Sequence, residues 1–252
     1  MLDPLSPRET PNPTVVPTSW KGLCAAALTF LSPGILGGLI CGALVGGVGG
    51  RLAMLVLRLT SSDSLHGTET DDEFIIGAVT ASTVFLILLT ALLGVAGGVV
   101  YLGVREWFPR RWLPLLYGLL GATFGGSTII RPGGTDFTAL EPLWLAVVMF
   151  VFLPAAYGVI VSVVVERLKQ GKRLIGSRWR WAAVLPLLLM LVTGPIGAGI
   201  LLVIGVVIAA NRHGAVTRLW RSTLVTWLGR GAYAAVVVAT GVALGRDVSR
   251  VL

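Results

Sequence analysis

Charged side chains are scarce in this sequence. Asp, Glu, Lys and Arg together make up 13% of the 252 residues, whereas 55% are hydrophobic and the mean hydropathy is +0.86. A water-soluble domain of this length needs more polar surface than that to cover its core. The composition therefore excludes an ordinary soluble globular protein and favours a chain that lies mostly in a lipid bilayer.

Cysteine and histidine are also rare, with two of each. Cys24 and Cys41 stand in apolar sequence without a CxxC pair, so we expect small buried apolar residues. His66 and His213 lie on distant parts of the chain, which leaves no histidine pair for a metal. GxSxG, HExxH and phosphate-binding glycine loops are absent as well. The sequence therefore predicts no catalytic residue, metal or cofactor, and favours a protein that is not an enzyme.

The N-terminus lacks the basic, apolar and small-residue segments of a cleaved signal peptide. Residues 1–19 instead contain five prolines, which deny the backbone a regular row of N–H donors. We expect a disordered cytoplasmic tail over residues 1–19. Residues 20–252 are then predicted to form a single transmembrane domain.

Long uncharged runs, by contrast, are abundant. A helix needs about 20 apolar residues to cross a hydrocarbon core of roughly 30 Å. The runs of suitable length are 33–57, 74–101, 112–130, 143–165, 181–210 and 224–244. The predicted fold is therefore all-α, a transmembrane bundle of about six helices.

Proline marks the predicted starts of several spans. Ser32 and Pro33 form an N-cap and first-turn pair for the first span, Pro114 opens the third, and Pro142 precedes the fourth. Residues 20–31 are apolar but only about 12 long, which is too short for a crossing. They are predicted to form a separate interfacial helix.

Tryptophan and the basic residues indicate how the spans are oriented. All eight tryptophans lie at or near predicted span ends, where the indole ring favours the headgroup level. Lys and Arg number three in 102–111 and six in 166–180, but one each in 58–73 and 131–142. This asymmetry predicts a multi-pass protein of the cell membrane with a cytoplasmic N-terminus.

The run 181–210 has two interpretations, because Thr193-Gly194-Pro195-Ile196-Gly197-Ala198-Gly199 interrupts it. One long kinked helix would cross once, but Arg212, Arg218 and Arg221 would then face outward, against the charge rule. A re-entrant hairpin would return the chain to the cytoplasmic side. The kinked helix is preferred here, since each hairpin arm would hold only about 11 or 12 residues.

Glycine recurs every four residues in the first span. The positions are Gly34, Gly38, Gly42, Gly46 and Gly50. This period keeps them on one helix face and allows another helix to approach closely, which predicts a helix-packing seam. The alternative is a smooth wall of a permeation path. Shorter stripes offer partner faces at Gly118, Gly121, Gly125, Gly241 and Gly245.

Charged residues inside predicted spans are functional candidates, because burying a charge in lipid is costly. Arg51 is expected either to pair with an acidic residue of an outer connection or extend its side chain to the interface as an anchor, or to form an anion or proton site. Arg230 is more simply explained as an interfacial anchor. The candidate functional charges are Arg51, Asp72, Glu73, Asp136 and Arg230, with Asp71 and Glu141 as further partners of Arg51.

Several motifs lie between residues 35 and 168. They are Gly46-Gly47-Val48-Gly49-Gly50-Arg51-Leu52-Ala53-Met54, Thr70-Asp71-Asp72-Glu73-Phe74-Ile75-Ile76-Gly77, Asp136-Phe137-Thr138, Glu141-Pro142-Leu143-Trp144-Leu145-Ala146 and Val165-Glu166-Arg167-Leu168. In these motifs the chain resembles an uncharacterised family of bacterial multi-pass membrane proteins. The resemblance implies a bacterial cell membrane and a shared helical fold, and it implies no activity, substrate or cofactor.

Two functions remain open at this point. The first is a non-catalytic membrane module that packs against itself or against a membrane protein partner. The second is a small transporter or channel whose path runs along the glycines to Arg51 and the break at 193–199. The expected partners are the lipid bilayer and other membrane helices. Nucleic acid is not expected, because the basic residues occupy short gaps between spans and form no continuous face.

Overall fold

A computed structural model of the protein describes residues 20–60, 81–130, 142–170, 182–193, 195–210 and 215–251. Helices dominate these residues, and no strand occurs among them. The predicted all-α class is therefore confirmed. The N-terminal tail and the connections that carry Asp72, Glu73 and Asp136 lie outside the described residues.

Eight helices account for nearly all of the described chain. The first, α1, comprises Trp20–Cys41, a π-helical stretch at Gly42–Val48, and Gly49–Thr60. The next three are α2 at Ala81–Val104, α3 at Leu113–Leu120 continuing through Gly121–Gly125 and Gly126–Ile129, and α4 at Leu143–Gln170. The last four are α5 at Val184–Leu189, α6 at Pro195–Ala210, α7 at Ala215–Trp220 and α8 at Thr223–Val251.

Four of these helices are long and apolar enough to cross a membrane. The segments are Lys21–Leu57, Thr83–Val104, Leu143–Gln170 and Thr223–Val251. The shorter α3, at Leu113–Ile129, is apolar as well. Pro114 lies in the first turn of α3, and α4 begins at Leu143 directly after Pro142, as the sequence predicts.

The start of α1 differs from the prediction. Pro33 does not begin a helix but lies inside Trp20–Cys41, so residues 20–31 are part of α1 and not a separate interfacial helix. A proline within a helix leaves the carbonyl four residues earlier without its N–H donor. Here that carbonyl belongs to Thr29, and the Ser32 hydroxyl donates to it at 3.4 Å. This side-chain bond compensates in part for the missing donor and lets the helix continue.

The first four helices alternate in direction. Gly34 of α1 faces Gly98 of α2, whereas Gly47 faces Ile87, so these two helices are antiparallel. On another side of α1, Gly37 meets Val165 of α4 and Gly49 meets Leu153, so α4 is antiparallel to α1 as well.

Helix α8 runs in the same direction as α3. Tyr233 donates a hydrogen bond to the Leu116 carbonyl, and farther along both helices Leu244 lies beside Gly126. The start of α8 therefore lies where α2 ends, α3 begins and α4 ends. We call this end of the bundle, defined by Val104, Leu113, Gln170 and Thr223, the basic end.

This direction constrains the chain between α4 and α8. It leaves α4 at the basic end and enters α8 at the same end. A single crossing by residues 181–210, the preferred interpretation of the sequence, would deliver it to the opposite end, and it stays a prediction. The segment is divided into α5, a 3-10 turn at Met190–Thr193, and α6.

Candidate functional site

The glycines of α1 pack against α2. A Cβ atom on Gly34, Gly38, Gly42 or Gly46 would lie less than 3.0 Å from atoms of α2, and the nearest atoms opposite Gly38 and Gly42 are backbone. The approach is reciprocal, because Gly94 and Gly98 of α2 meet the backbone of α1 equally closely. These contacts require glycine on both helices, since any side chain would push the backbones apart.

Gly50 and the shorter stripes are placed differently from the sequence expectation. Nothing lies within 4 Å of a Cβ built on Gly50, so the seam ends before it. Gly118, Gly121 and Gly125 face Val159 and Pro154 of α4 and not α1. Gly241 approaches Thr123 of α3, and Gly245 faces open space. The partner of the α1 seam is therefore α2, whose Gly94 and Gly98 also stand four residues apart.

Two tyrosine hydroxyls reinforce the packing around this seam. Tyr157 of α4 donates to the Gly94 carbonyl at 2.7 Å, and Tyr117 of α3 donates to the Gly97 carbonyl at 2.5 Å. Each bond joins a side chain to the backbone of α2 inside an apolar interior. Helices α3 and α4 are thus fixed to the same glycine-rich stretch that contacts α1.

Arg51 lies near the other end of α1. The residue is half-buried, and its Nε and Nη2 atoms are shielded from solvent. Its expected acidic partners lie outside the described residues. Met190, where the helix break begins, belongs to a buried cluster with Ile35 and Val95. Ile35 is roughly 24 Å along α1 from Arg51, so this placement does not favour a path joining Arg51 to the break.

A cluster of ionised side chains occupies the basic end, and it is the most polar feature among the described residues. Arg105 lies in the turn after α2, and its side chain is only 7% exposed. Its Nε donates to Oε1 of Glu166 in α4 at 2.7 Å, and its Nη2 donates to Oε2 at 3.3 Å. This two-point pairing matches the planar guanidinium to the carboxylate.

The cluster extends on both sides of this pair. Nη1 of Arg105 donates to Glu106 Oε1 at 2.5 Å, and the Tyr101 hydroxyl donates to Glu166 Oε1 at 3.2 Å. Tyr101 and Arg105 are four residues apart at the end of α2, so they point to the same side of that helix. The ring of Tyr101 also packs edge-to-face on Tyr117, with centroids 5.2 Å apart.

Electrostatics keep Arg105 charged in this setting. Burial lowers the pKa of its guanidinium, but the hydrogen bond and negative charge of Glu166, with the charge of Glu106, raise the pKa more. The net pKa is therefore above its ordinary value. A permanently cationic Arg105 offsets two carboxylates that would otherwise be costly to bury.

Two exposed arginines border the cluster. Arg110 Nε lies 3.9 Å from Glu166 Oε2, and Arg221 Nη2 lies 3.4 Å from Glu106 Oε2. Their side chains are 75% and 66% exposed. Arg221 follows α7, so its pair with Glu106 connects the α2–α3 turn to the start of α8.

Backbone carbonyls at the end of α2 and in the α2–α3 turn accept hydrogen bonds from α7 and α8 in the same region. Arg230 Nε donates to the Trp107 carbonyl at 2.7 Å, and its guanidinium lies 5.4 Å from the Trp227 ring centroid. Trp220 Nε1 donates to the Gly103 carbonyl at 3.2 Å, and its ring is 5.1 Å from that of Trp107. Arg230 is thus placed as an anchor between α8 and the turn.

The arrangement is suited to holding helices together at a membrane boundary. Arg105, Glu106, Glu166 and Arg221 join α2, α4 and the start of α8 through ion pairs. Sequence reasoning missed this cluster, because Arg105 and Glu166 are 61 residues apart and both belong to connections counted only for topology. The available signal was the spacing of Tyr101 and Arg105 on one helix face.

Within the described parts of the chain, no three His, Cys, Asp or Glu residues are grouped closely enough to hold a metal ion. Cys41 is buried and Cys24 is half-buried, and neither forms a disulfide. No protein-family model, curated protein or solved structure matches the chain.

Proposed function

We propose that this protein is a non-catalytic membrane module that associates with a second copy of itself through α8. The observation that carries this proposal is the outer face of α8. Only 6% of the most apolar stretch of α8 is buried, compared with 50% for α1. The inner face packs on α3 and the α2–α3 turn through Gly229, Tyr233 and Leu244, while the opposite face has no helix against it among the described residues.

Small and apolar residues on that outer face follow a heptad spacing. The exposed positions are Leu228, Gly231, Ala235, Val238, Val242 and Gly245, at alternating intervals of three and four. This spacing gives a straight seam suited to a second helix. Nothing lies within 4 Å of a Cβ on Gly231 or Gly245, and glycine that faces only lipid gains nothing from close approach.

A second copy fits this seam better than an unrelated helix. One seam is the same on both chains, so two copies related by a two-fold axis present matching positions to each other. Small residues near both ends, at Gly231 and Gly245, allow the two backbones to approach over the length of the seam. A different membrane protein as partner is the competing outcome.

Cysteine crosslinking tests the proposal. Val238 and Val236 are both exposed valines of α8, but they lie about 160° apart around the helix, and Val238 is on the seam. In a chain with Cys24 and Cys41 replaced by alanine, Val238→Cys is expected to form a disulfide-linked dimer in membranes at several times the yield of Val236→Cys. Equal yields, or no dimer from either, would contradict self-association.

A glycine substitution tests whether the disulfide-linked dimer forms at a packed interface or by chance collision in the membrane. Gly231→Leu in the Val238→Cys chain is expected to lower the dimer yield at least threefold, because the side chain holds the helices apart. Gly205→Leu in α6 is the matched control, since Gly205 is also an exposed helical glycine without atoms within 4 Å. If both substitutions lower the yield equally, the seam is not the contact.

The topology proposed for this module is five crossings and a re-entrant hairpin. The crossings are α1, α2, α3, α4 and α8, and the hairpin is formed by α5 and α6. The parallel packing of α3 and α8 supports this arrangement. The described residues 182–193 span only roughly 18 Å as a helix, which is too short for a crossing. Arg212, Arg218 and Arg221 then lie on the same side as 102–111, in agreement with the positive-inside rule.

Reporter fusions test the topology. We propose that the basic end faces the cytoplasm of a bacterial cell, so reporters after Gly171 and after Arg212 are expected to be cytoplasmic, and one after Ser64 external. A C-terminal reporter is expected to be external, because α8 leads away from the basic end. An external reporter after Arg212 together with a cytoplasmic C-terminus would restore the single crossing by 181–210.

A further inference from the structure

The basic end carries far more positive than negative charge. Two acidic residues of the described chain lie there, Glu106 and Glu166, and the carboxylates of both accept hydrogen bonds from Arg105. Nine basic residues lie at the same end, namely Lys21, Arg105, Arg110, Arg111, Arg167, Lys169, Arg218, Arg221 and Arg230. The surplus is more than the two internal carboxylates can neutralise, so this surface attracts anions.

Arg110 and Arg221 are the residues best placed to bind one. A guanidinium has five N–H donors, and each of these arginines reaches its carboxylate through one nitrogen. The remaining donors belong to side chains that are 75% and 66% exposed. Because both carboxylates accept hydrogen bonds from Arg105, the two arginines border the same buried cluster.

Tryptophans place this surface at the headgroup level of a bilayer. Trp107, Trp112, Trp220 and Trp227 are four of the eight tryptophans in the chain, and all lie around the basic end. The ring of Trp112 is 48% exposed and packs under Arg111, with the guanidinium 5.6 Å from its centroid. Trp227 is 65% exposed beside Arg230. Exposed indole rings at a helix end favour the boundary between lipid tails and headgroups.

From these features we infer that Arg110 and Arg221 bind the phosphate headgroup of an anionic phospholipid of the surrounding membrane. Guanidinium groups pair with phosphate oxygens through two parallel hydrogen bonds, and the tryptophans fix the depth at which the headgroup meets them. The site binds lipid at the same end that holds α2, α4 and α8 together. This inference requires the protein to lie in a membrane and does not depend on its self-association.

Lipid binding to the purified full-length protein tests the inference. Palmitoyl-oleoyl phosphatidylglycerol and the neutral palmitoyl-oleoyl phosphatidylcholine are each added to protein in a mild detergent, and bound lipids are counted by native mass spectrometry. The wild type is expected to retain phosphatidylglycerol at concentrations where phosphatidylcholine has dissociated. Each basic residue near a membrane surface contributes about fivefold in affinity, so the Arg110→Gln, Arg221→Gln double variant should bind phosphatidylglycerol roughly 25-fold more weakly.

A matched pair of arginines at the far end of α8 provides the control. Arg246 and Arg250 are exposed, carry the same total charge and lie away from the basic end, so Arg246→Gln, Arg250→Gln should leave the affinity within twofold of wild type. Circular dichroism and the unfolding midpoint in detergent check that both double variants fold. The Arg110→Lys, Arg221→Lys variant keeps the charge and should recover part of the binding.

Three results would overturn the inference. If the control pair weakens binding as much as the Arg110 and Arg221 pair, the lipid responds to total charge and not to this site. If phosphatidylcholine binds as tightly as phosphatidylglycerol, the headgroup charge is not recognised. If inorganic phosphate at millimolar concentration displaces phosphatidylglycerol completely, the site takes a free anion and not a lipid.

Discussion

Gly38 of α1 and Gly94 of α2 pack so closely that neither position has room for a side chain. A Cβ on either residue would lie less than 3.0 Å from the carbonyl oxygen of its partner. At this contact the first two membrane helices touch through backbone atoms only. A single methyl group at this position should therefore destabilise the packing of α1 on α2.

Gly38→Ala is expected to lower the free energy of unfolding by about 1 to 3 kcal/mol, the usual cost of overpacking. Gly50→Ala is the matched control, because nothing lies within 4 Å of the added methyl group. Since alanine favours a helix over glycine by about 1 kcal/mol, Gly50→Ala should be neutral or stabilising. Unfolding by sodium dodecyl sulfate in mixed micelles measures both, and equal losses would contradict the close contact at Gly38.

The contributions of Arg105 and Glu166 to the free energy of unfolding are expected to be strongly coupled. Replacing either residue by leucine leaves a buried charge without its partner, which costs about 3 to 5 kcal/mol. The double variant should be more stable than the sum of the two losses predicts, by at least about 1 kcal/mol. A double-mutant cycle on the unfolding free energy measures this coupling. Strict additivity would show that the two side chains do not interact.

Arg230 is expected to act through its hydrogen bond to the Trp107 carbonyl. Arg230→Gln removes a charged donor and should cost about 1.5 to 3 kcal/mol of unfolding free energy. Arg246→Gln, an exposed arginine of the same helix, should change the stability by less than about 0.5 kcal/mol. Intrinsic tryptophan fluorescence gives a second measurement, because the release of α8 from Trp107 changes the surroundings of that ring and its contact with Trp220. If the fluorescence spectrum and the stability are both unchanged, Arg230 does not anchor α8 to the α2–α3 turn.

A separate prediction concerns the hydrogen bonds that the tyrosine hydroxyls donate to the backbone of α2. Tyr157→Phe keeps the ring and removes only the hydroxyl that donates to Gly94, so the expected loss is about 1 kcal/mol. Tyr117→Phe should lose a similar amount at Gly97. Hydrogen exchange of the α2 backbone, measured by mass spectrometry, should increase near these carbonyls in each variant. Unaltered exchange and stability would mean that the hydroxyls contribute nothing to the packing.

Sequence patterns predicted the helices well because run length and hydropathy decide which segments enter a bilayer. The bounds of α3 and the start of α4 follow from Pro114 and Pro142. Pro33 misled the prediction, since the bond from Ser32 to Thr29 depends on a side-chain conformation that spacing does not reveal. The four-residue period of the α1 glycines indicated close packing, but a period alone does not name the partner helix.

The charged cluster could not be predicted in the same way. Arg105 and Glu166 are brought together by the packing of α2 against α4, and no local pattern joins them. The direction of α8 could not be predicted either. It depends on whether the broken apolar run 181–210 crosses once or forms a hairpin, and hydropathy fits both equally well. The outward placement of Arg212, Arg218 and Arg221 was the one sign in the sequence that favoured a hairpin over the single crossing.

The contacts of α7 and α8 with α2, the α2–α3 turn and α3 also bear on how the protein is assembled during synthesis. Trp220, Arg230 and Tyr233 bind carbonyls that precede them by 117 to 123 residues. At roughly 10 residues per second, the ribosome needs about 12 seconds to make that length of chain. Until then Gly103, Trp107 and Leu116 lack these donors, so in a nascent chain arrested before residue 215 helices α1 to α4 are complete but these three carbonyls have no partner from α7 or α8.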